Sequence, residues 1–317
     1  MLQGTRSPIL FIIFNRPDTT RRVFESIRAA RPPRLYVAAD GPRSGRPNEE
    51  VRCREARAVV EAVDWDCQVF RLFRERNLGC KYAVSSAIDW FFSHEAEGIV
   101  LEDDCVPANS FFAYCDELLV RYRDAQRVMA ICGSNFQRDG WRPEHSYYFS
   151  RYNHVWGWAS WRRAWKGYDV EMNEWPSFLA QNSLRTIFPD NWPARVFWRR
   201  IMDDVASGNV DTWDYQWLFA GWSNDGFSIV PEVNLVKNIG FDGDATHTTG
   251  APQWLRDLQR HEISLPLRHP ESVVECCEGD RRYERTILNI KLFRMARKYL
   301  KDAVRAAAGN FVARGTK

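Results

Sequence analysis

The 317-residue sequence lacks the long apolar runs of a membrane-spanning protein. No stretch reaches the roughly 18 consecutive apolar residues that a spanning helix needs. The N-terminus also lacks a basic segment followed by an apolar core and a cleavage site, so no secretory signal peptide is expected. These absences predict a cytoplasmic protein without a transmembrane helix.

The sequence also lacks paired cysteines and a strong net charge. Its eight cysteines form no CxxC pair and lie mostly within apolar patterns, which favours buried, reduced thiols over a disulfide framework or a zinc site. A net charge of only +3 gives no overall field for nucleic acid, so we expect no nucleic-acid partner. No internal repeat or low-complexity linker is present.

Aromatic residues are abundant by contrast. The chain contains 14 tryptophans, and seven of them lie between Trp141 and Trp192. An indole offers a flat apolar face and one N–H donor, which suits large interfaces and stacking on sugar rings. We expect most of these tryptophans to belong to the core.

The first half of the chain alternates strand and helix patterns. Short apolar runs predict strands at residues 8–14, 34–39, 68–73, 99–101 and 128–132. Amphipathic segments between them predict helices at residues 19–30, 49–63, 81–94 and 110–123. This alternation is typical of a doubly wound α/β fold with a mostly parallel central sheet flanked by helices.

The alternation stops after residue 140. Residues 141–169 are aromatic and irregular, with a short helical pattern at 159–165, and further patterns predict helices at 192–206 and 214–222 and a strand at 227–231. A basic amphipathic helix is predicted from residue 281 to about 308, because residues 281–317 hold eleven Lys/Arg and two acidic residues. Two interpretations of this helix stay open: contact with an anionic membrane surface at the inner face of the membrane, or packing on the domain.

Three carboxylates, Glu102, Asp103 and Asp104, directly follow the predicted strand at 99–101. Carboxylates crowded at one point repel each other unless a divalent cation or a set of donors neutralises them. In open α/β sheets, ligands bind outside the carboxyl ends of the strands. The triplet therefore predicts a metal and phosphate site, whereas the plainer alternative is an acidic turn that caps the next helix.

Other polar clusters end neighbouring strands and would lie on the same edge of the sheet. Asn15-Arg16 follows the first strand, Asp40-Gly41 the second and Ser134-Asn135 the fifth. Arg16 could pair with a phosphate or stack on a base, and the carboxylate of Asp40 could accept a base N–H. A surface salt bridge and a simple turn are the corresponding alternatives.

Residues 99–114 (IVLEDDCVPANSFFAY) resemble the metal-binding segment of N-acetylglucosaminyltransferase I-like enzymes. These are GT-A fold glycosyltransferases with an E-D-D form of the "DxD" motif. Similar segments are Asn15-Arg16-Pro, Asp40, the Arg76-Asn77-Leu-Gly stretch before the helix that Lys81 opens, and Trp156-Gly157-Trp158. The resemblance implies that these residues, with Glu102 and Asp103, bind a nucleotide sugar.

The same resemblance implies the remaining parts of a transferase site. Asp104 would bind Mn²⁺ or Mg²⁺, with His247 as a further metal or phosphate ligand. The segment 212–217 (TWDYQW) is similar to the W-D-D-W stretch that carries the catalytic base, and either Asp214 or Asp211 matches it. The implied reaction is inverting transfer from a nucleoside-diphosphate sugar, UDP-linked if Asp40 reads uracil, to a glycan or lipid-linked acceptor in polysaccharide or surface glycan synthesis.

The resemblance covers about residues 8–250 and predicts the domain organisation. Residues 1–250 would form the GT-A catalytic domain, with a nucleotide-binding half at 1–135 and an acceptor and catalytic-base half at 136–250. Residues 251–317 would form an extension with the basic helix. Two alternative functions remain: a nucleotidyltransferase, although these usually carry a Gly-rich loop with a lysine after the first strand, and a non-catalytic carbohydrate-binding protein.

Overall fold

A computed structural model describes residues 4–241 and 252–289 of the chain, and these are built around two β-sheets. The strands of the large sheet are β1 (Ile9–Ile13), β2 (Arg34–Ala39), β3 (Gln68–Phe73), β4 (Glu97–Glu102), β6 (Val128–Cys132), β7 (Tyr147–Ser150), β8 (Trp158–Trp161) and β9 (Phe227–Pro231). The second sheet pairs β5 (Cys105–Pro107) with β10 (Val236–Asn238) in antiparallel fashion.

The large sheet is mostly parallel. Its strand order is β3-β2-β1-β4-β8-β6-β9-β7, and neighbouring strands run parallel except where β8 and β7 pair. The predicted α/β class with a mostly parallel sheet is confirmed and is consistent with a GT-A, Rossmann-like fold. All six strands predicted from the sequence belong to this sheet.

Helices cover both faces of the sheet. They are α1 (Pro17–Ala30), α2 (Glu49–Val59), α3 (Gly79–His94), α4 (Asn109–Arg121), α5 (Arg162–Trp165), α6 (Trp175–Ala180), α7 (Ser183–Ile187), α8 (Trp192–Ala206), α9 (Asp214–Ser223), α10 (Gln253–Arg256) and α11 (Cys277–Thr286). In β1, Ile9 and Phe11 pack in the core that includes α1 and α4, whereas Leu10 packs in the core that includes α3. Burial on both faces explains the uninterrupted apolar sequence of β1.

The aromatic region after residue 140 differs from its prediction. The segment 159–165 was expected to be helical, but Trp158–Trp161 forms strand β8 between β4 and β6, and only Arg162–Trp165 is helical. β8 (WASW) is only four residues long and contains a serine, so it lacks the uninterrupted apolar run that identified β1. β7 (YYFS) escaped prediction for the same reason.

Residues 252–289 pack against the rest of the chain. Ile263 and Leu267 belong to the same core as β1, and the carboxylate of Glu262 accepts hydrogen bonds from the first backbone N–H groups of α4. The predicted basic helix begins within α11, and its part beyond residue 289 lies outside the described residues. The predicted domain boundary near residue 250 falls in the undescribed segment 242–251.

Across the described ranges, no helix is both long enough and apolar enough to cross a bilayer.

Candidate active site

The carboxyl ends of β1, β2 and β4 open into a cleft of about 300 Å³. The first turns of α3 and α9 form its opposite side. The cleft brings together ten residues that the sequence singled out: Asn15, Arg16, Asp40, Asn77, Glu102, Asp103, Asp104, Trp156, Asp211 and Asp214. Parallel strands end at one edge of a sheet, which explains why segments far apart in sequence meet here.

Arg16 is the cation nearest to two carboxylates of the acidic triplet. Its guanidinium pairs with the buried Asp103, and its Nη1 lies 3.0 Å from Oδ2 of Asp104. The second oxygen of Asp103 accepts the backbone N–H of Phe14 at 3.2 Å. Burial alone would lower the pKa of Arg16, but the charges of Asp103 and Asp104 outweigh it and raise that pKa. An arginine therefore neutralises part of the crowded charge, and Asp103 anchors the turn after β1.

Glu102 is the least constrained member of the triplet. It lines the cleft and accepts no hydrogen bond from the residues that the structure describes. Burial, followed by the charges of Asp104 and Asp103, raises the pKa of Glu102 to about 8. The charge of Asp214 contributes in the same direction, which places Asp214 within electrostatic reach across the cleft.

The carboxylates of the cleft could hold a divalent cation only if phosphate or water completes its coordination. Among residues 4–241 and 252–289, no group of three His, Cys, Asp or Glu side chains could hold a metal by itself. Glu102 and Asp104 both line the cleft, and Mg²⁺ is commonly bound by one or two carboxylates together with substrate phosphates. The triplet therefore matches a cation that arrives with a diphosphate. His247, the other predicted ligand, lies outside the described residues.

Asp40 holds the loop that follows β3. Its carboxylate accepts the backbone N–H groups of Gly41 and Leu78 and the side-chain amide of Asn77, at 2.9–3.1 Å. Burial raises the pKa of Asp40, although the backbone N–H groups that it accepts oppose this shift. The loop after β3 packs directly against Gly41, because a Cβ on Gly41 would lie 2.5 Å from the backbone nitrogen of Arg76.

Sequence reasoning missed a second network, built on Glu49. This glutamate is 1% exposed and accepts hydrogen bonds from the side chains of Asn15 and Arg43. Arg43 lines the cleft and lies over the ring of Phe14, with 5.4 Å between its Cζ and the ring centroid. Arg43 and Glu49 lie in the loop after β2 and at the start of α2, where no motif distinguishes them from surface residues.

Arg74 is a further cleft residue without a sequence signal. It directly follows β3, and its Nη2 donates to Oγ of Ser86 at 2.7 Å. Burial lowers its pKa, an effect that the charge of Asp40 opposes. The remaining lining residues that were not singled out include Cys80, Thr212 and Asn238. Only the position of Arg74 at the end of a predicted strand could have identified it.

The two candidate bases have different surroundings. Both oxygens of Asp211 accept backbone N–H groups at the start of α3, from Cys80 at 3.2 Å and Lys81 at 2.9 Å. Asp214, in the first turn of α9, accepts one hydrogen bond from the hydroxyl of Thr212 through Oδ1. Both oxygens of Asp211 are therefore used in hydrogen bonds that stabilise the start of α3, whereas Oδ2 of Asp214 has no hydrogen-bond partner among the described residues.

Four predicted donor-binding residues do not line the cleft. Arg76 is exposed, and the ammonium of Lys81 pairs with Glu171 at 2.8 Å. Gly157 is buried with a φ of +62°, and a Cβ there would lie 2.8 Å from Val236. Trp158 is 1% exposed, because it belongs to β8 and packs in the core. Of the two tryptophans in this turn, only Trp156 reaches the cleft.

Comparisons with known proteins identify no family. No protein-family model matches the sequence, and no curated protein matches it. Similar solved structures include mouse xyloside xylosyltransferase 1, which is 12% identical over 68% of this chain and 81% of that one, with a TM-score of 0.35. The glycosyltransferase GlyE of Streptococcus pneumoniae is 12% identical over 95% of this chain and 64% of its own, with a TM-score of 0.32. HddC from Yersinia pseudotuberculosis is 9% identical over 54% and 86%, with a TM-score of 0.32. Likenesses this distant carry no argument about activity, so the fold assignment depends on the sheet topology of the chain itself.

Proposed function

We propose that the chain is a metal-dependent glycosyltransferase that moves a sugar from a nucleoside-diphosphate sugar to a glycan or lipid-linked glycan. One observation carries the proposal: the cleft at the carboxyl ends of β1, β2 and β4 brings together three arginines and six carboxylates. Arginine suits the diphosphate, whereas carboxylates suit sugar hydroxyls and a divalent cation. The residue pattern that resembles N-acetylglucosaminyltransferase I-like enzymes supports the same conclusion.

The donor would lie along the edge of the sheet. The nucleoside would approach Asp40 and Asn77, and UDP is the nucleotide that the resemblance at Asp40 favours. Arg16, Arg43 and Arg74 supply positive charge for the diphosphate. Glu102 has no hydrogen-bond partner among the described residues, so its carboxyl group is free to contact a ribose or sugar hydroxyl.

Asp104 would hold Mn²⁺ or Mg²⁺ together with the diphosphate. Such a cation supplies Lewis-acid stabilisation of the charge that develops on the leaving diphosphate. The guanidinium of Arg16 contacts Asp104, so it lies beside the proposed cation site and can bind the same diphosphate.

Asp214 is the residue that we assign as the base. It would take the proton of the acceptor hydroxyl while the acceptor oxygen bonds to the anomeric carbon and the bond from that carbon to the diphosphate oxygen breaks. The Oδ2 atom without a partner and the position of Asp214 across the cleft from Glu102 support this role. Attack from the face opposite the leaving group inverts the anomeric configuration.

A thermal-shift series on the full chain tests the proposed function. UDP- and GDP-linked sugars are each added with and without Mn²⁺, and the melting temperature should rise most with a UDP-sugar and Mn²⁺ together. Nucleoside triphosphates form the comparison set for a nucleotidyltransferase. The proposal fails if no nucleotide sugar raises the melting temperature, or if only a triphosphate does.

The basic segment at residues 281–317 supports a second part of the proposal, contact with anionic membrane lipid where lipid-linked acceptors lie. Its eleven Lys/Arg against two acidic residues would favour such a surface. Flotation of the protein with liposomes of anionic lipid should depend on ionic strength. Equal flotation by a chain shortened at residue 289 would remove this part and leave the transferase proposal intact.

A further inference from the structure

Four aromatic rings from distant parts of the chain form a row beside the cleft. Ring centroids lie 5.9 Å apart between Phe241 and Trp156, 5.2 Å between Trp156 and Phe136, and 6.4 Å between Phe136 and Tyr283. We call these four side chains the aromatic wall. Because Trp156 lines the cleft, the wall is continuous with the candidate active site.

The wall differs from the aromatic core in its exposure. All four of its rings are half-buried, whereas Trp158, Trp161 and Trp217 are about 1% exposed. The chain buries these three indoles almost completely but leaves the connected rings of the wall partly exposed beside the cleft. Connected apolar surface beside a ligand cleft is a candidate interaction site.

The wall ends near the proposed base. Burial raises the pKa of Tyr283, and the charge of Asp214 is among the further causes. The pKa of Tyr215, the neighbour of Asp214 in α9, is raised by burial and by the same charge. Tyr283 and Tyr215 also pack against the same apolar core, so the wall ends close to the start of α9 and to the carboxylate that would deprotonate the acceptor, although these residues are far apart in the sequence.

Two buried carboxylates fix α11, and with it Tyr283. Asp280 accepts the backbone N–H of Arg151 at 3.0 Å and the hydroxyl of Ser150. Glu284 accepts the hydroxyl of Tyr152 at 2.7 Å and the side-chain amide of Asn191 at 2.6 Å. Tyr283 lies between these two anchors, so its ring is held in place before any ligand arrives, which lowers the entropic cost of binding.

We propose that the aromatic wall is an acceptor subsite for an oligosaccharide of two or more sugars. This inference rests on the proposed function and names the class of acceptor. Aromatic rings stack on the apolar faces of sugars. The wall reaches the cleft at Trp156 and ends at Tyr283, which packs against the same core as Tyr215, the neighbour of Asp214. Each of its three ring-to-ring steps exceeds 5 Å, so a single sugar would leave most of the row uncovered.

Binding of the labelled full chain to an array of defined glycans, from monosaccharides to tetrasaccharides, tests the inference. At least one oligosaccharide should bind about tenfold or more tightly than its terminal monosaccharide. Phe136→Leu and Tyr283→Leu should each weaken that oligosaccharide by about three- to tenfold, which is the range that one aromatic contact supplies. Tyr283→Phe keeps the ring and should retain most of the affinity.

Trp192→Leu is the matched control, because Trp192 is 44% exposed and lies outside the wall. Thermal shift by nucleotide sugars is measured on every variant, so a variant that keeps the donor response is folded at the donor site. If donors bind but affinity does not depend on glycan length, or if the wall variants bind like Trp192→Leu, the inference is wrong and the proposed function stands. If no donor binds to the unmodified chain, the proposed function itself fails.

Discussion

We call the edge of the sheet where Arg16, Asp40 and Glu102–Asp104 follow β1, β2 and β4 the donor edge. The donor edge and the aromatic wall are built in opposite ways. At the donor edge, charged side chains follow strands that are neighbours in a parallel sheet, and they are already paired, as Arg16 is with Asp103 and Asp104. The wall consists of aromatic rings that contact one another, the ring of His154 and apolar core residues, and the guanidinium of Arg256 lies over Phe241. Its members come from a loop after β6, the turn before β8, the segment after β10 and α11.

The difference matches the two substrates of the proposed reaction. A nucleoside diphosphate carries negative charges on its phosphates, and a rigid set of arginine side chains can recognise them. An acceptor glycan is neutral or weakly charged, so its recognition depends on ring contacts and shape. We therefore expect changes at the donor edge to affect stability and catalysis, and changes at the wall to affect the choice of acceptor.

The largest expected effect is at Asp214. Asp214→Asn removes the proposed base and should lower kcat by about 10²–10⁴-fold, because base catalysis contributes that range. Binding of the nucleotide sugar should be unchanged, since Asp214 lies across the cleft from the donor edge. Rates are measured with the acceptor that the glycan array identifies, and donor binding by thermal shift.

Asp211→Asn is the comparison for this experiment. Asp211 holds the first N–H groups of α3, so its change should lower the melting temperature and reduce kcat less than Asp214→Asn does. A larger loss of kcat in Asp211→Asn would reverse the assignment of the base.

Arg16→Ala should have the second-largest effect, this time on stability. It leaves the buried Asp103 without its cation, and breaking a buried ion pair from one side typically costs about 3 kcal/mol or more. Arg21→Ala is the matched control: Arg21 lies in α1, which begins directly after Arg16, but it pairs at 3.1 Å with Asp18 where both side chains are exposed, a pair worth less than about 1 kcal/mol. Urea denaturation measures both changes.

The double variant Arg16→Ala/Asp103→Asn separates charge from packing. It should recover part of the lost free energy of unfolding, because no buried carboxylate is then left unpaired. Equal stability of Arg16→Ala and Arg21→Ala would show that the donor edge does not depend on this pairing.

Much of the donor edge could be predicted from the sequence, for a physical reason. Apolar runs identified the strands, parallel strands share one edge, and so Arg16, Asp40 and the carboxylates after β4 had to meet. The contributions of Arg43 and Glu49 could not be predicted, because the conformation of the loop after β2 decides them.

The wall could not be predicted, because its contacts depend on packing between distant segments. Nothing in the sequence indicates that Phe136 would stack on Tyr283. The sequence also does not distinguish Trp156 from Trp158: a left-handed turn at Gly157 lies between them, and strand β8 begins at Trp158 and carries that indole into the core. Both indoles were predicted to bind the donor, with a core position as the alternative for one of them, and only Trp156 lines the cleft.

The wall contacts a buried histidine, and this contact predicts how the stability of the chain depends on pH. His154 packs against the rings of Phe136 and Tyr283, and burial lowers its pKa from 6.5 to about 3. The unfolded chain therefore binds a proton below pH 6.5 that the folded chain does not bind. The stability that neutral His154 contributes is complete above pH 6.5 and is lost as the pH falls toward 3.

His154→Gln tests this sign. Between pH 6.5 and 3, its free energy of unfolding should fall with pH less steeply than that of the unmodified chain, by up to about 1.4 kcal/mol per pH unit, which corresponds to one proton. His261→Gln, at an exposed histidine, is the matched control. Equal slopes in His154→Gln and the unmodified chain would mean that the histidine near the wall is not neutral throughout this range.

The smallest expected effects come from one substitution made on each side of the cleft. Gly41→Ala places a Cβ 2.4–2.6 Å from backbone atoms of Glu75 and Arg76, so the loop held by Asp40 must move, and overpacking of this kind typically costs about 1–3 kcal/mol. The added Cβ of Gly221→Ala, in the last turn of α9, meets no atom within 4 Å, and the change should stabilise the chain by about 0.5–1 kcal/mol through helix propensity. Gly41→Ala should also weaken binding of the nucleotide sugar, whereas Gly221→Ala should leave it unchanged. If Gly41→Ala lowers the free energy of unfolding and weakens donor binding while Gly221→Ala does neither, the donor edge tolerates no added volume. A Gly41→Ala variant as stable as Gly221→Ala would show instead that the loop after β3 adjusts freely.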